Sequence, residues 1–156
     1  MIPEGTFFAT VFPAMKGIPP PTIFGKYSTP LTAAVPAELA PKPTPEGEIF
    51  LELPGGFKMP ANGLGMCCRP SAYDEETVYR TVLWYLLLGG RHIDTADLYL
   101  NHKGVGRGIA AAISRGVKRS DIFVTTKIPS RFYGLENSQK NVARYLKELG
   151  LRYIDL

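Results

Sequence analysis

Three times between residues 74 and 156 an apolar stripe at helical spacing meets a glycine and is followed by a short apolar run. In the first stretch Val78, Val82, Tyr85 and Leu86 fall at i, i+4, i+7 and i+8, the spacing of one helix face. It predicts a helix from about Asp74 to Leu88. Ser71 and Asp74 supply a capping-box start, because a hydroxyl can accept an amide left unpaired at a helix opening. Gly89 ends that helix, and Arg91 to Asp94 reads as a strand. In the second stretch Val105, Ile109, Ala112 and Ile113 form the stripe, Gly116 stops it, and Asp121 to Thr126 follows as strand. There Ile122, Phe123 and Val124 are continuous rather than alternating, as a parallel strand covered by helices requires. The third stretch opens near the cap-forming Asn137 and Ser138 and carries Val142, Tyr145, Leu146 and Leu149. Gly150 ends it, and Tyr153 to Leu156 begins another strand.

Upstream the pattern changes. Ile49, Leu51 and Leu53 alternate with Phe50 and Glu52, Pro54-Gly55-Gly56 makes a turn, and Phe57 to Met59 returns, which predicts a small hairpin. Asn62 to Met66 follows as a short buried strand. Ten of the fourteen prolines lie in residues 1–45, where missing amide donors and fixed φ suit neither helix nor central strand. The chain thus divides into a proline-rich irregular arm, 1–45, and an ordered α/β region, 46–156. The arm does not read as a secretory signal, since it opens with Glu4 and Pro13 breaks its apolar stretch. Nor does it read as a transit peptide, having no Arg and one Ser.

Composition narrows the classes. With 156 residues, 45% hydrophobic and 21% charged, the chain reads as a soluble globular protein. Its net charge of +4 is modest and the basic residues are scattered. The Lys118-Arg119 pair is too short for a nucleic-acid stripe and reads as solvated surface. The run Val82 to Leu88 cannot span a bilayer, so neither nucleic acid nor membrane is an expected partner. Cys67 and Cys68 are adjacent and cannot staple a fold. They read as reduced thiols of a cytoplasmic protein, and no metal-ligand spacing is present.

The candidate chemistry is concentrated in Gly90 to Asn101, GRHIDTADLYLN. Asp94 falls at a predicted strand end with the Tyr99 phenol five residues on, and Lys127 stands at the end of the next strand. An acid, a phenol and an ammonium at neighbouring strand ends suit proton chemistry on a carbonyl. His92 reads as a core or helix-contacting residue, His102 as surface, and Asp97 stays outside the chemistry. A repeat of about 30 residues fits a (β/α)8 barrel, and a doubly wound sheet as well. The glycines 104, 106 and 108 lie too far past a strand to make a dinucleotide fingerprint, which favours the barrel.

Taken together, Lys58-Met59-Pro60, Gly63-Leu64-Gly65, Gly90 to Ala96 with Tyr99 and Asn101, Val105-Gly106, Asp121 to Lys127 and Leu149 to Leu156 resemble the aldo-keto reductase superfamily. The resemblance covers about Leu53 to Leu156. It implies an α/β (β/α)8 TIM barrel, of which this chain holds roughly the first four strands and three helices. It further implies NADPH as cofactor and reduction of a small-molecule aldehyde or ketone. Tyr99 is then the general acid, Lys127 its activator and Asp94 the partner of Lys127. The sequence departs from the family pattern at Met66-Cys67, at Gly89-Gly90-Arg91, and at His102, where an acid is common. The family's catalytic histidine and most cofactor contacts would fall beyond Leu156. The expectation is therefore a truncated chain, which alone would bind NADPH poorly and turn over little. The competing expectations are a non-catalytic regulatory relative and an inactive product.

Overall fold

The computed structural model describes residues 34–68 and 73–156. Two strands, β1 (Phe50–Leu53) and β2 (Phe57–Pro60), pair antiparallel as the predicted hairpin, with Leu51 opposite Met59. A separate parallel sheet follows. It contains β3 (Leu64–Gly65), β4 (His92–Asp94) and β5 (Phe123–Thr125), in that order. Gly65 is level with Asp94, and Asp94 with Thr125, so the carboxyl ends of all three strands are aligned. The predicted fourth strand runs beside β5 without adopting full strand geometry. Leu156 N donates to Val124 O at 3.2 Å, and Thr126 N donates to Leu156 O at 2.9 Å, a parallel pattern. Four neighbours in sequence order show no reversal. Doubly wound sheets reverse within their first strands, so the order favours a barrel-type winding.

Helices connect the strands: α1 (Glu75–Leu87), α2 (His102–Ser114) and α3 (Leu135–Leu149). Asp74 caps α1, its carboxylate accepting Thr77 N at 2.8 Å, and these hydrogen bonds hold its pKa below the usual value. The expected partner in that cap, Ser71, lies outside the described residues. α3 begins earlier than its sequence suggests. Gly134, at φ +111°, presents its carbonyl to Ser138 N at 2.8 Å, so Asn137 and Ser138 lie inside the first turn rather than capping it.

The core lies between the sheet and α1 and α2, with Val82, Leu83, Leu86, Ile93, Val105, Ile109 and Val124 fully buried. The predicted stripes are narrower than expected at two positions. Ile113 is 38% exposed and Val142 is 39% exposed, because each lies at the margin of its helix's packed face. Glycines 104, 106 and 108 are the close-approach points of the helices. A Cβ at Gly104 would lie 2.7 Å from Val78 Cγ1, one at Gly108 2.6 Å from Val82 Cβ, and one at Gly106 2.8 Å from Leu149 Cα. These glycines join α2 to α1 and α3, which accounts for their pattern without a phosphate.

Residues 34–45 carry no helix or strand, yet they are tied to the core. Lys42 N donates to Leu87 O at 2.8 Å, and the Arg91 guanidinium donates to Lys42 O at 2.7 Å and to Leu86 O at 2.9 Å. Arg119, expected to be solvated, is instead partly buried. Its guanidinium stacks 3.9 Å from the Tyr153 ring centroid and pairs with Asp155 at 2.8 Å, pinning the segment beside β5. The adjacent Cys67 and Cys68, expected as two free thiols, bring their sulfur atoms together directly after β3. No helix of the described residues is long and apolar enough to cross a membrane.

Candidate active site

The parallel register decides what meets at the carboxyl end of the sheet. Asp94 is the last residue of β4, and Lys127 stands two residues past the end of β5. Between them the backbone is stitched together, since Thr95 N donates to Thr125 O at 2.9 Å and Asp97 N to Lys127 O at 3.2 Å. That second bond starts a single 3₁₀ turn, Asp97–Tyr99, which lifts the phenol over the strand ends. Leu100 closes the turn in the left-handed region at φ 54°, so the chain can enter α2 at once.

All three residues singled out in the sequence converge there. The Lys127 ammonium donates to Asp94 Oδ1 at 2.5 Å, to Thr95 O at 3.0 Å and to the Tyr99 hydroxyl at 3.3 Å. Three acceptors match its three N–H donors. Burial works to lower the pKa of Lys127, but the hydrogen bonds to Asp94 and then Tyr99 outweigh it and leave the pKa raised. The ammonium is therefore fixed in place and fully charged at neutral pH. Because Lys127 donates to the phenolic oxygen, the Tyr99 O–H is directed away from it. The group is still accessible, with the Lys127 side chain 48% exposed.

His92 serves the frame rather than this site. Its ring nitrogens meet Pro60 O and Thr125 Oγ1, each at 3.0 Å, so the side chain links the hairpin to the sheet, while its amide donates to the Tyr85 hydroxyl of α1 at 3.4 Å. Gly63 leaves room for it, since a Cβ there would lie 3.0 Å from Nδ1.

His102 corrects the sequence reading. Expected at the surface, it is 4% exposed, with Nδ1 2.9 Å from Glu148 Oε2 and Nε2 2.9 Å from Thr126 Oγ1. Asp97 is likewise buried and paired with Arg144 through a short contact. Hydrogen bonding to Asp97 outweighs burial and raises the pKa of Arg144. Sequence reasoning missed this cluster because its members come from α2, α3 and a turn, with Asp97 and Arg144 47 residues apart. The one local hint was Glu148, an acid at i+4 from Arg144. A cavity of about 280 Å³ opens beside the cluster, lined by Asp97, Asn101, His102, Arg144 and Glu148.

A parallel βα repeat with an acid, a phenol and an ammonium gathered at its carboxyl edge matches a known class. The sequence model of the Aldo/keto reductase family matches residues 61–156, and the chain belongs to that family. A 9,11-endoperoxide prostaglandin H2 reductase of Trypanosoma cruzi is 39% identical over 104 residues, covering 67% of this chain and 35% of that protein. An NAD(P)H-dependent D-xylose reductase of Scheffersomyces stipitis is 36% identical over 107 residues, covering 68% of this chain and 32% of the other. Among solved structures, a Bombyx mori aldo-keto reductase in complex with NADP superposes with a TM-score of 0.63 at 34% identity, over 72% of this chain and 36% of that one. The chain spans about a third of the length of the curated relatives it matches. The fold is accordingly part of a (β/α)8 barrel, and among the described residues the sheet does not close.

Proposed function

We propose that the protein acts in the NADPH-dependent reduction of an aldehyde or ketone, with Tyr99 as the proton donor. One observation carries the reading: the Lys127 ammonium bridges Asp94 and the Tyr99 hydroxyl at 2.5 and 3.3 Å. Reduction of a carbonyl places a hydride on carbon and a proton on oxygen. Tyr99 supplies the proton through an O–H that points away from Lys127. As negative charge builds on the phenolic oxygen, the ammonium beside it stabilises that charge. Asp94 keeps the ammonium charged and aimed, and Thr95 O fixes its third proton.

The residues present suit the reactive end of a nicotinamide dinucleotide. A Cβ at Gly65, level with Asp94 on the neighbouring strand, would meet nothing within 4 Å, so the sheet end is open there. The glycines of α2 are closely approached by the backbone and side chains of α1 and α3 and offer no phosphate cradle. When bound, the cofactor supplies the hydride. The relatives named for NADP or NAD(P)H support this choice of cofactor.

The test is NADPH oxidation with a panel of small aldehydes, using the protein as its natural transcript encodes it. Replacing Tyr99→Phe removes the proton donor and lowers kcat by about 10²- to 10⁴-fold, the span of a positioned general acid. A Tyr99→Phe variant with undiminished kcat overturns the assignment.

A further inference from the structure

Behind the candidate site runs a closed circuit of polar contacts that the proposed chemistry does not use. Arg144 Nη2 donates to Asp97 Oδ1, and Arg144 Nη1 donates to Glu148 Oε1 at 3.0 Å. The other oxygen of Glu148 meets His102 Nδ1 at 2.9 Å, and His102 Nε2 meets Thr126 Oγ1 at 2.9 Å. Thr126 precedes Lys127, whose carbonyl accepts Asp97 N at 3.2 Å and closes the ring. One arm of the circuit therefore holds the turn that carries Tyr99. The other holds the strand end that carries Lys127.

We propose that Arg144 is a positioning residue, holding the Tyr99 hydroxyl on the Lys127 ammonium through Asp97 on one side and Glu148–His102–Thr126 on the other. The proposal rests on the reading of Tyr99 and Lys127 given above. Asp97 is the first residue of a turn only three residues long, so its placement fixes that of Tyr99 two positions on. Its side chain is 8% exposed, and a buried carboxylate stripped of its cation is strongly destabilised where it stands. Arg131, 3.8 Å away and 59% exposed, is a poor substitute. Without Arg144 the favourable course is for the turn to open and hydrate Asp97, which carries Tyr99 off Lys127. Arg144 suits the task because its planar fork reaches two carboxylates at once, and its guanidinium lies 4.7 Å from the Tyr145 ring centroid, which orients it.

The test reads Tyr99 directly, with or without turnover. In protein labelled with [13Cζ]tyrosine, Tyr99→Phe assigns the resonance, and Lys127→Met gives its position when the ammonium is gone. Arg144→Met is expected to move the Tyr99 resonance toward the Lys127→Met position. It is also expected to lower kcat about tenfold while KM for the carbonyl holds, because a displaced catalytic group costs rate more than binding. Arg144→Lys, a cation without the fork, is expected to recover part of both. A folded Arg144→Met protein with an unmoved Tyr99 resonance overturns the proposal. Should that variant fail to fold, Glu148→Gln, which weakens only the second arm, decides in the same way: an unmoved resonance overturns it. Absence of any carbonyl reduction in the wild type defeats the functional reading, while the resonance still decides the positioning role.

Discussion

At the residue scale the site is organised by Lys127. Its ammonium satisfies three acceptors, and the net effect is a raised pKa despite partial burial. The sign of the resulting pH dependence is definite. A base with a folded pKa above its unfolded value of 10.5 contributes stability in full below that value and loses it as pH rises through the folded pKa. The same window governs the site, since the phenol keeps its charged neighbour until Lys127 deprotonates. Replacing Asp94→Asn removes the strongest contact favouring the ammonium, leaving burial to act against it. The alkaline limb of the kcat profile is then expected to move to lower pH, with kcat reduced across the range. An alkaline limb unchanged in position would show that Asp94 does not hold the ammonium. Asp94 and Lys127 were legible in the sequence because each stands at or just past the end of a strand with a plain apolar run, and Tyr99 was singled out by its chemistry five residues after Asp94. The buried partners were not. His102 read as surface because its partners are far from it in sequence: Glu148 reaches it across the α2–α3 packing and Thr126 from the end of β5.

At the element scale, existence and order were legible while edges were not. Apolar residues at helical spacing identify α1, α2 and α3, because a helix must bury one stripe to be stable. Where a helix starts depends on a single peptide, as at Gly134, whose carbonyl takes the first helical bond three residues ahead of Asn137, the first of the expected caps. Exposure at Ile113 and Val142 likewise depends on where the neighbouring element ends, which a stripe does not encode. The glycines of α2 show how packing overrides propensity. In an isolated helix Gly108→Ala would gain roughly 1 kcal/mol. Here the new methyl would lie 2.6 Å from Val82 Cβ and 2.8 Å from the Tyr79 carbonyl oxygen, and a backbone atom cannot rotate away. The helices must part, and overpacking of this kind costs about 1–3 kcal/mol. Gly108→Ala is therefore expected to lower the urea midpoint with the slope unchanged. A stabilised variant would mean that α1 and α2 can separate without loss.

At the scale of the whole molecule, Tyr85 links parts that the sequence keeps apart. Its hydroxyl donates to Asn62 O at 3.3 Å, at the approach to β3, and accepts His92 N at 3.4 Å, at the start of β4. Its ring covers Gly90, where a side chain of any size would collide with it. Nothing in the local pattern marks this residue beyond its place in the α1 stripe, since its partners lie 23 and 7 residues away. Burial is the largest influence on the phenol and raises its pKa from 10.0 to about 12. The folded chain therefore keeps a proton that the unfolded chain releases from about pH 10 upward, and stability must fall as pH rises through that interval. The two-unit gap between 10.0 and about 12 corresponds to roughly 3 kcal/mol at the upper limit. Replacing Tyr85→Phe removes the titrating group and also two hydrogen bonds, a loss of about 1–2 kcal/mol at neutral pH. Denaturant unfolding at a series of alkaline pH values separates the two effects. The wild type is expected to be the more stable at neutral pH and to lose that advantage as the solution becomes more alkaline, so the two stability curves converge and cross. Parallel curves over the whole range would show that Tyr85 titrates alike in the folded and unfolded chains, and that the phenol is more open to water than its 6% exposure implies.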